Sequence, residues 1–362
     1  MKVLLLGGTG AIGLPLAYEL ASKGNEVWIT SRKKHQDTER INYIVGNAMD
    51  DMFINEILPQ NFDVIVDFMI YTEEKLNARI KRFLEKTSQY IFISSCRVYA
   101  PSDGPITEES PRLLDICDDV DYLRSNEYAI AKAKEENIII NQKKRNWTIV
   151  RPSVTYNVGR LQLGCYEVDN WLPRLLNNRS IVFQRDLANI YTPMTLGDDV
   201  SKAMVGIVGN YNALGEIIQI AGSETKTWRE ILLVYLNALN EKNIFSKVVW
   251  QQSSFTVAKI LGREYQRKYA KLVDREFDCR KIERICGYKI EYTPIDVGVR
   301  QCLFDTLTNQ MTFNTNYMLE AYQDRITKEK KYSTYNLKNE VKYMICRYTP
   351  YMKKRFKGYS EE

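Results

Sequence analysis

A tyrosine and a lysine stand four residues apart at Tyr128 and Lys132, in the stretch EYAIAK, a spacing that sets both side chains on one face of a helix. An ammonium held beside a phenol favours the phenolate, so a group that titrates near ~10 in water becomes a usable base; each unit of lowering takes about 1.4 kcal/mol of differential stabilisation. Ser95, at the end of the apolar run QYIFISS, supplies a hydroxyl that could hydrogen-bond a carbonyl or an alcohol. The three together suit proton transfer at a carbon that gains or loses a hydride. The spacing alone says little in a chain of 24 tyrosines, and Tyr71 with Lys75 repeats it. That second pair follows no serine-tipped strand, whereas Tyr128 and Lys132 follow Ser95 by one loop. The plain alternative is a surface tyrosine beside a solvated lysine.

A hydride needs a carrier, and the first thirteen residues read as its seat. MKVLLL runs into GGTGAIG and then into a helical pattern, the order of a buried parallel strand, a tight turn and a helix. Gly8, Gly10 and Gly13 spell GxGxxG, while Gly7, Gly10 and Gly13 spell GxxGxxG, so both templates stay open. Glycines let the chain turn and keep side chains away from a ligand. The backbone through Ala11 and Ile12 into the helix would present free N–H groups and a positive dipole end to a pyrophosphate. A glycine-rich turn without a ligand is the competing reading. The second strand, EVWIT, ends in Ser31-Arg32-Lys33-Lys34. An NAD site usually has an acid there to grip the ribose 2′-OH, and a 2′-phosphate would be repelled by it. With Ser31 in the acid's place and Arg32 next, NADP is favoured and NAD is the alternative, unless the stretch is only a solvated basic loop.

The elements that must position these residues alternate. Apolar strand patterns fall at 3–6, 26–30, 43–45, FDVIVDFMIY, QYIFISS, NWTIVRP and 216–220, with helical patterns at 14–23, 50–58, 73–86 and 121–144 between them. This rhythm predicts an α/β fold, a Rossmann-type doubly wound parallel sheet. Such sheets carry their chemistry at the carboxyl ends of the strands, where Ser95 lies. The expected organisation is a dinucleotide-binding domain over 1–165, completed by about 188–225. A smaller, mostly helical substrate lobe over 226–307, with 166–187, and a basic extension over 308–362 follow.

GGTGAIG, ISSCRVY, EYAIAK, VRP and FDCRKIERICGY, taken together, resemble the extended short-chain dehydrogenase/reductase family of nucleotide-sugar epimerases, dehydratases and reductases, over about residues 1–307. The resemblance implies NAD(P), a sugar nucleotide in the carboxyl-terminal lobe, and Ser95, Tyr128 and Lys132 as the catalytic group, with Lys132 also holding the nicotinamide ribose. PITEESP matches the family's loop beside the substrate. Departures narrow the choice. The family's 4,6-dehydratases carry Asp-Glu directly after the hydroxyl residue, and Cys96 and Arg97 stand here, which argues against dehydration. The family's Tyr-Gly-Pro after the sixth strand reads Tyr156-Asn157-Val158, and Leu196 stands near where a histidine is often found. The expectation is a 4-epimerase or a reductase of a 4-keto sugar. The rival is a non-catalytic dinucleotide-binding protein, a sensor or a nucleic-acid-associated member of the same fold.

Composition bounds the rest. Apolar content of 44% and charge of 27% over 362 residues are those of a soluble globular chain with a large core. Neither a membrane helix nor a signal peptide is read, so a cytoplasmic location is expected. Seven cysteines without a CxxC pair suggest reduced thiols, and one histidine, His35, precludes a histidine metal cluster or a Ser-His-Asp triad. The net charge of +6 is uneven: residues 313–362 hold 11 Lys/Arg against 6 Asp/Glu, leaving the body nearly neutral and giving no sign of nucleic-acid binding by it. The tyrosine-rich tail is expected to pack on its own body or on a second subunit of a homodimer, or to attach peripherally to an anionic membrane or a glycan-assembly partner.

Overall fold

The computed structural model describes residues 1–245, 247–309, 311–332, 334–356 and 358. Its first compact unit comprises Met1–Thr155, Pro193–Ser223 and Glu276–Thr293. Seven parallel strands make its sheet: β1 (Lys2–Leu6), β2 (Glu26–Ser31), β3 (Ile41–Val45), β4 (Val64–Asp67), β5 (Gln89–Ile93), β6 (Trp147–Pro152) and β7 (Glu216–Ile220), in the order β7-β6-β5-β4-β1-β2-β3. The order reverses between β1 and β4, which leaves a crevice at the carboxyl edge of the sheet.

Both faces of the sheet are covered, which is why its strands read as continuous apolar runs. In β1, Val3 and Leu5 face a core shared with Leu16 and Ala17 of α1 (Gly13–Ser22) and with Val200 and Met204 of the Gly197–Val205 helix. Leu4 and Leu6 face the other core, with Ile54 of α2 (Asp51–Ile57), Phe83 of α3 (Glu73–Lys86) and Ile139 of α4 (Tyr128–Ile140). All four β1 side chains are fully buried, each contributing ~1.5–3 kcal/mol.

Two elements differ from expectation. FDVIVDFMIY is strand only to Asp67, because the Asp67 carboxylate accepts from the Met69 N–H at 2.9 Å and turns the chain out of the ladder. The helical pattern of 121–144 breaks into Val120–Arg124 and α4, at Asn126, whose φ of 54° lies in the left-handed region. Glu127 then caps the new helix through the Ala129 N–H at 2.8 Å. Tyr128 therefore opens α4 instead of lying within a longer helix.

The second unit comprises Tyr156–Thr192, Glu224–Arg275 and Pro294–Glu362. Residues Glu276–Thr293, expected in the substrate lobe, belong to the first unit, where Phe277 bridges to Ile106 and Gln219 donates to the Ile106 and Asp278 carbonyls. The second unit contains α5 (Val168–Leu176), α6 (Trp228–Asn240), α7 (Ile295–Thr308), α8 (Tyr317–Thr327), α9 (Leu337–Tyr348) and α10 (Tyr351–Arg355), with a short parallel pair, Ile181–Gln184 and Val248–Gln251. No helix among the described residues is long and apolar enough to cross a membrane.

The tail is built into this unit. Arg174 of α5, fully buried, donates to Glu320 at 2.6 Å and Asp324 at 2.9 Å on α8, and to Glu329 at 3.2 Å. Leaving that guanidinium without its partners would cost roughly 3–5 kcal/mol, so a boundary near Thr308 divides a packed core. Three carboxylates around one guanidinium favour retention of a proton. Burial pushes the Glu320 carboxyl up to about 7, against the pull of Arg174 and with the help of Asp324. Its folded value lies above its ordinary 4.5, so the folded chain holds the extra proton in that window. This contribution is complete below the window and is lost as pH rises through about 7. The urea midpoint should accordingly fall between about pH 5 and pH 8, and Glu320→Gln should flatten that slope; a variant with the parent's slope would refute the assignment.

Candidate functional site

The carboxyl ends of the parallel strands gather the residues singled out by sequence. Gly7 follows β1 with φ 69°, its N–H bonded to Thr30 Oγ1 of β2 at 2.9 Å. Gly13 begins α1 so close to the turn that a Cβ there would stand 2.6–2.7 Å from the Gly8 backbone. A Cβ on Gly8 would meet Leu5 at 2.6 Å, and one on Gly10 would meet nothing within 4 Å. Both glycine templates are thus partly right: Gly7 makes the turn, Gly8 and Gly13 let strand and helix meet, and Gly10 leaves an open approach.

Ala11 and Ile12 are half-buried, and Ile12 stands at the cap position of α1 without a side-chain cap or any acid in the first turn. By contrast Asp50 caps α2, Thr72 caps α3 and Glu127 caps α4. The expected row of free N–H groups does not form in the first turn of α1, because Leu14 N–H donates to the Gly10 carbonyl at 3.1 Å, Leu16 N–H donates to the Ile12 carbonyl at 3.0 Å and Pro15 has no N–H. The glycine turn and the positive end of the helix dipole are what fit a dinucleotide's pyrophosphate.

At the end of β2, Ser31 is buried, its hydroxyl 3.0 Å from His35 Nε2 and accepting from the Lys33 N–H at 3.1 Å. The His35 ring stacks on Tyr43 with centroids 4.7 Å apart. Arg32 is exposed. His35 stands out in the sequence only as the chain's one histidine; its approach to Ser31 depends on the loop's path back to β3, which no local pattern specifies.

Ser95 follows β5, and its hydroxyl accepts from the Arg97 N–H at 3.2 Å. Tyr128 occupies the first position of α4, half-buried, with the Arg97 guanidinium 5.1 Å from its ring centroid. Arg97 also pairs with Glu127. The backbone of Arg97 thus touches Ser95 and its side chain covers Tyr128. Lys132, one turn further, is buried; its ammonium pairs with Glu135 at 2.9 Å, donates to the Met69 carbonyl at 3.1 Å and lies 4.2 Å from the Phe92 ring centroid. Burial raises the Glu135 carboxyl, with Lys132 pulling the other way.

A second carboxylate holds the site from behind. Glu136, fully buried, accepts from Ser94 Oγ at 2.5 Å, from Arg151 at 2.8 and 2.6 Å and from Arg112 at 3.1 Å. Next to Lys132, Asp67 accepts from Tyr71 Oη at 2.8 Å and Tyr90 Oη at 2.9 Å, and burial raises its carboxyl. Tyr71 is occupied there, and Lys75 pairs with Asp51 at 2.5 Å, which places the duplicate Tyr-x-x-x-Lys pair in structural roles. Cys96 is a packed thiol donating to the Arg151 carbonyl at 3.0 Å. Asp67 was visible as an acid inside an apolar strand, and Glu135 as an acid one turn after Lys132.

The second unit has a cationic cluster of its own around a π-helical turn, Arg267–Lys271. Lys271 is buried, 3.0 Å from Gln162 Oε1 and 4.5 Å from the Trp228 ring centroid. Arg267 donates to Ser254 at 2.5 Å and Asp186 at 2.8 Å. Burial pushes the neighbouring Cys165 thiol up to about 11 despite these cations. π-turns break the 3.6-residue period, so the motif was not legible as a site. No group of acids, histidines and cysteines suited to a metal occurs among the described residues.

Three comparisons bear on this arrangement. The model of the family described as NAD dependent epimerase/dehydratase matches residues 3–221. Among curated proteins, the chloroplast stem-loop binding protein of 41 kDa b of Arabidopsis thaliana is 28% identical over 244 residues, 63% of this chain. The match spans 60% of that relative's length. Among solved structures, dTDP-glucose 4,6-dehydratase from Bacillus anthracis in complex with NAD superposes with a TM-score of 0.65 at 15% identity, covering 86% of this chain and 97% of that one. UDP-glucuronic acid 4-epimerase from Bacillus cereus, in complex with UDP-glucuronic acid and NAD, gives 0.64 at 16% identity over 86% and 100%. At such identities the structural likenesses establish the fold.

The contact at Gly13 makes the turn testable. Gly13→Ala should force Gly8 and α1 apart at a cost of ~1–3 kcal/mol and lower dinucleotide affinity about tenfold or more, measured by calorimetry beside a melting curve. Undiminished affinity would remove the turn from the site.

Proposed function

The chain belongs to the NAD dependent epimerase/dehydratase family, and from that premise we propose that it oxidises or reduces a sugar carbon of a nucleotide sugar, as a 4-epimerase or as a reductase of a 4-keto sugar. The observation that carries the reading is the shared position of Ser95, Tyr128 and Lys132, just after β5 and on the first turns of α4, at the same sheet edge as the glycine turn into α1. NAD or NADP seated at that turn supplies the hydride acceptor or donor. Tyr128 takes the proton from the sugar hydroxyl as the carbon is oxidised, and returns it on reduction. Ser95 holds the same oxygen by a hydrogen bond. Lys132, fixed by Glu135 and Met69, lends positive charge behind the phenol.

We assign the exposed Arg32, beside Ser31, to a 2′-phosphate, so NADP is the preferred cofactor. Arg32→Ala should weaken NADP by ~1–3 kcal/mol and leave NAD nearly unchanged in titration calorimetry; equal effects on both would reassign the cofactor.

For the reaction, Tyr128→Phe should abolish turnover of any nucleotide sugar the parent accepts while cofactor still binds, since the ring and its Arg97 contact remain. Turnover preserved in that variant would exclude the phenol as the proton-transfer group.

The stem-loop binding relative favours a second reading, a non-catalytic, nucleic-acid-associated dinucleotide-binding protein. An RNA hairpin shifted at physiological salt by a chain that turns over no nucleotide sugar would establish it.

A further inference from the structure

The last helices of the second unit leave an apolar face uncovered. α9 turns Tyr343 and Cys346 inward, and Tyr343 Oη donates to Asp324 of α8 at 2.6 Å. On its opposite side Leu337, Val341, Met344, Ile345 and Tyr348 recur at the spacing of a single helical stripe. All five are exposed, Leu337 at 82% and Tyr348 at 69%. A helix with one face packed normally gives its outer face to charged residues; here the outer face is the more apolar one.

Cations edge that stripe. On the helix wheel Lys338 and Lys342 follow one border and Arg347 lies beyond the other. α10 adds Lys353, Lys354 and Arg355, all exposed. From Leu337 to Arg355 the one acid is Glu340, and it pairs with Lys331. The surface is therefore apolar along its middle and positive along the Lys338–Lys342 border and on α10, while the other border holds Glu340, paired with Lys331, and Arg347, which donates to the Glu329 carbonyl at 2.8 Å; tyrosines stand at its carboxyl end.

We propose that this face lies on an anionic membrane surface, with α9 in the plane of the interface. The stripe would enter the boundary between headgroups and acyl chains, while the lysines reach the phosphates through their methylene stems. Charge complementarity selects this occupant over two others. A second copy pairing stripe to stripe would add the exposed α10 cations of two chains to one interface with only Glu340, already paired with Lys331, to offset them. A nucleic acid would engage the cations and leave the apolar stripe in water. The proposal stands apart from the catalytic reading and needs no substrate.

The test uses the full chain, sedimented with vesicles of phosphatidylcholine alone and of phosphatidylcholine with phosphatidylglycerol, at low and physiological salt. Cosedimentation is expected with the anionic vesicles, weakening with salt, and little with the neutral ones. Lys353→Glu with Lys354→Glu should lower binding roughly tenfold or more. Val341→Glu with Ile345→Glu should abolish it, and because all four positions are exposed, the melting curve should stay that of the parent. Absence of cosedimentation at both salts, or full binding by the stripe variant, overturns the proposal. So does a parent dimer that the stripe variant disperses while vesicle binding is unchanged, which would make the face a contact between copies.

Discussion

One buried carboxylate fixes the geometry on which the candidate chemistry depends. Glu136 ties α4 to β5 through Ser94, to β6 through Arg151, and to the loop before the short helices through Arg112. Ser94 immediately precedes Ser95; Lys132 and Tyr128 lie one and two turns before Glu136 on the same helix. Hydroxyl, phenol and ammonium therefore take their relative positions from a single ion-pair network whose centre, Glu136 with Arg151, is buried. Removing one member would leave a charge buried without its partner at a cost of roughly 3–5 kcal/mol, so the network holds the site stiffly. The glycine turn adds the second constraint, because α1 can start only where Gly13 rests on Gly8.

Much of this was legible because the signals are local. The run from Val3 to Leu6 is apolar on both pleat faces because both faces are covered, and Glu73–Lys86 carries its Thr72 cap and its period in plain sequence. The parts that were not legible depend on contacts distant in sequence. Asp67 ends β4 early through a hydrogen bond two residues on and two tyrosines, one of them from β5. Asn126 breaks an otherwise continuous helical pattern with one left-handed residue, a cost asparagine bears better than most. The tail is sparse in aliphatics, yet Leu319 and Tyr322 are fully buried, and the polar Glu320 and Asp324 face inward because Arg174 awaits them. Hydrophobic periodicity cannot register a helix whose inner face is partly charged.

Charge within the candidate site is arranged more evenly than the Tyr-x-x-x-Lys pattern suggests. A lone lysine beside a tyrosine would place a full positive charge near the phenol. Here Glu135 sits 2.9 Å from the Lys132 ammonium in a setting with almost no solvent, and much of that charge is spent on the pair. A second cation stands by the tyrosine, the Arg97 guanidinium 5.1 Å from the Tyr128 ring centroid. Arg97 pairs with Glu127, which also caps α4, so its position is set by the helix start that presents Tyr128. It is also the residue standing where related dehydratases carry an acid. A cation thus stands against the tyrosine where that comparison would place an acid, and it is the helix cap Glu127 that holds it there.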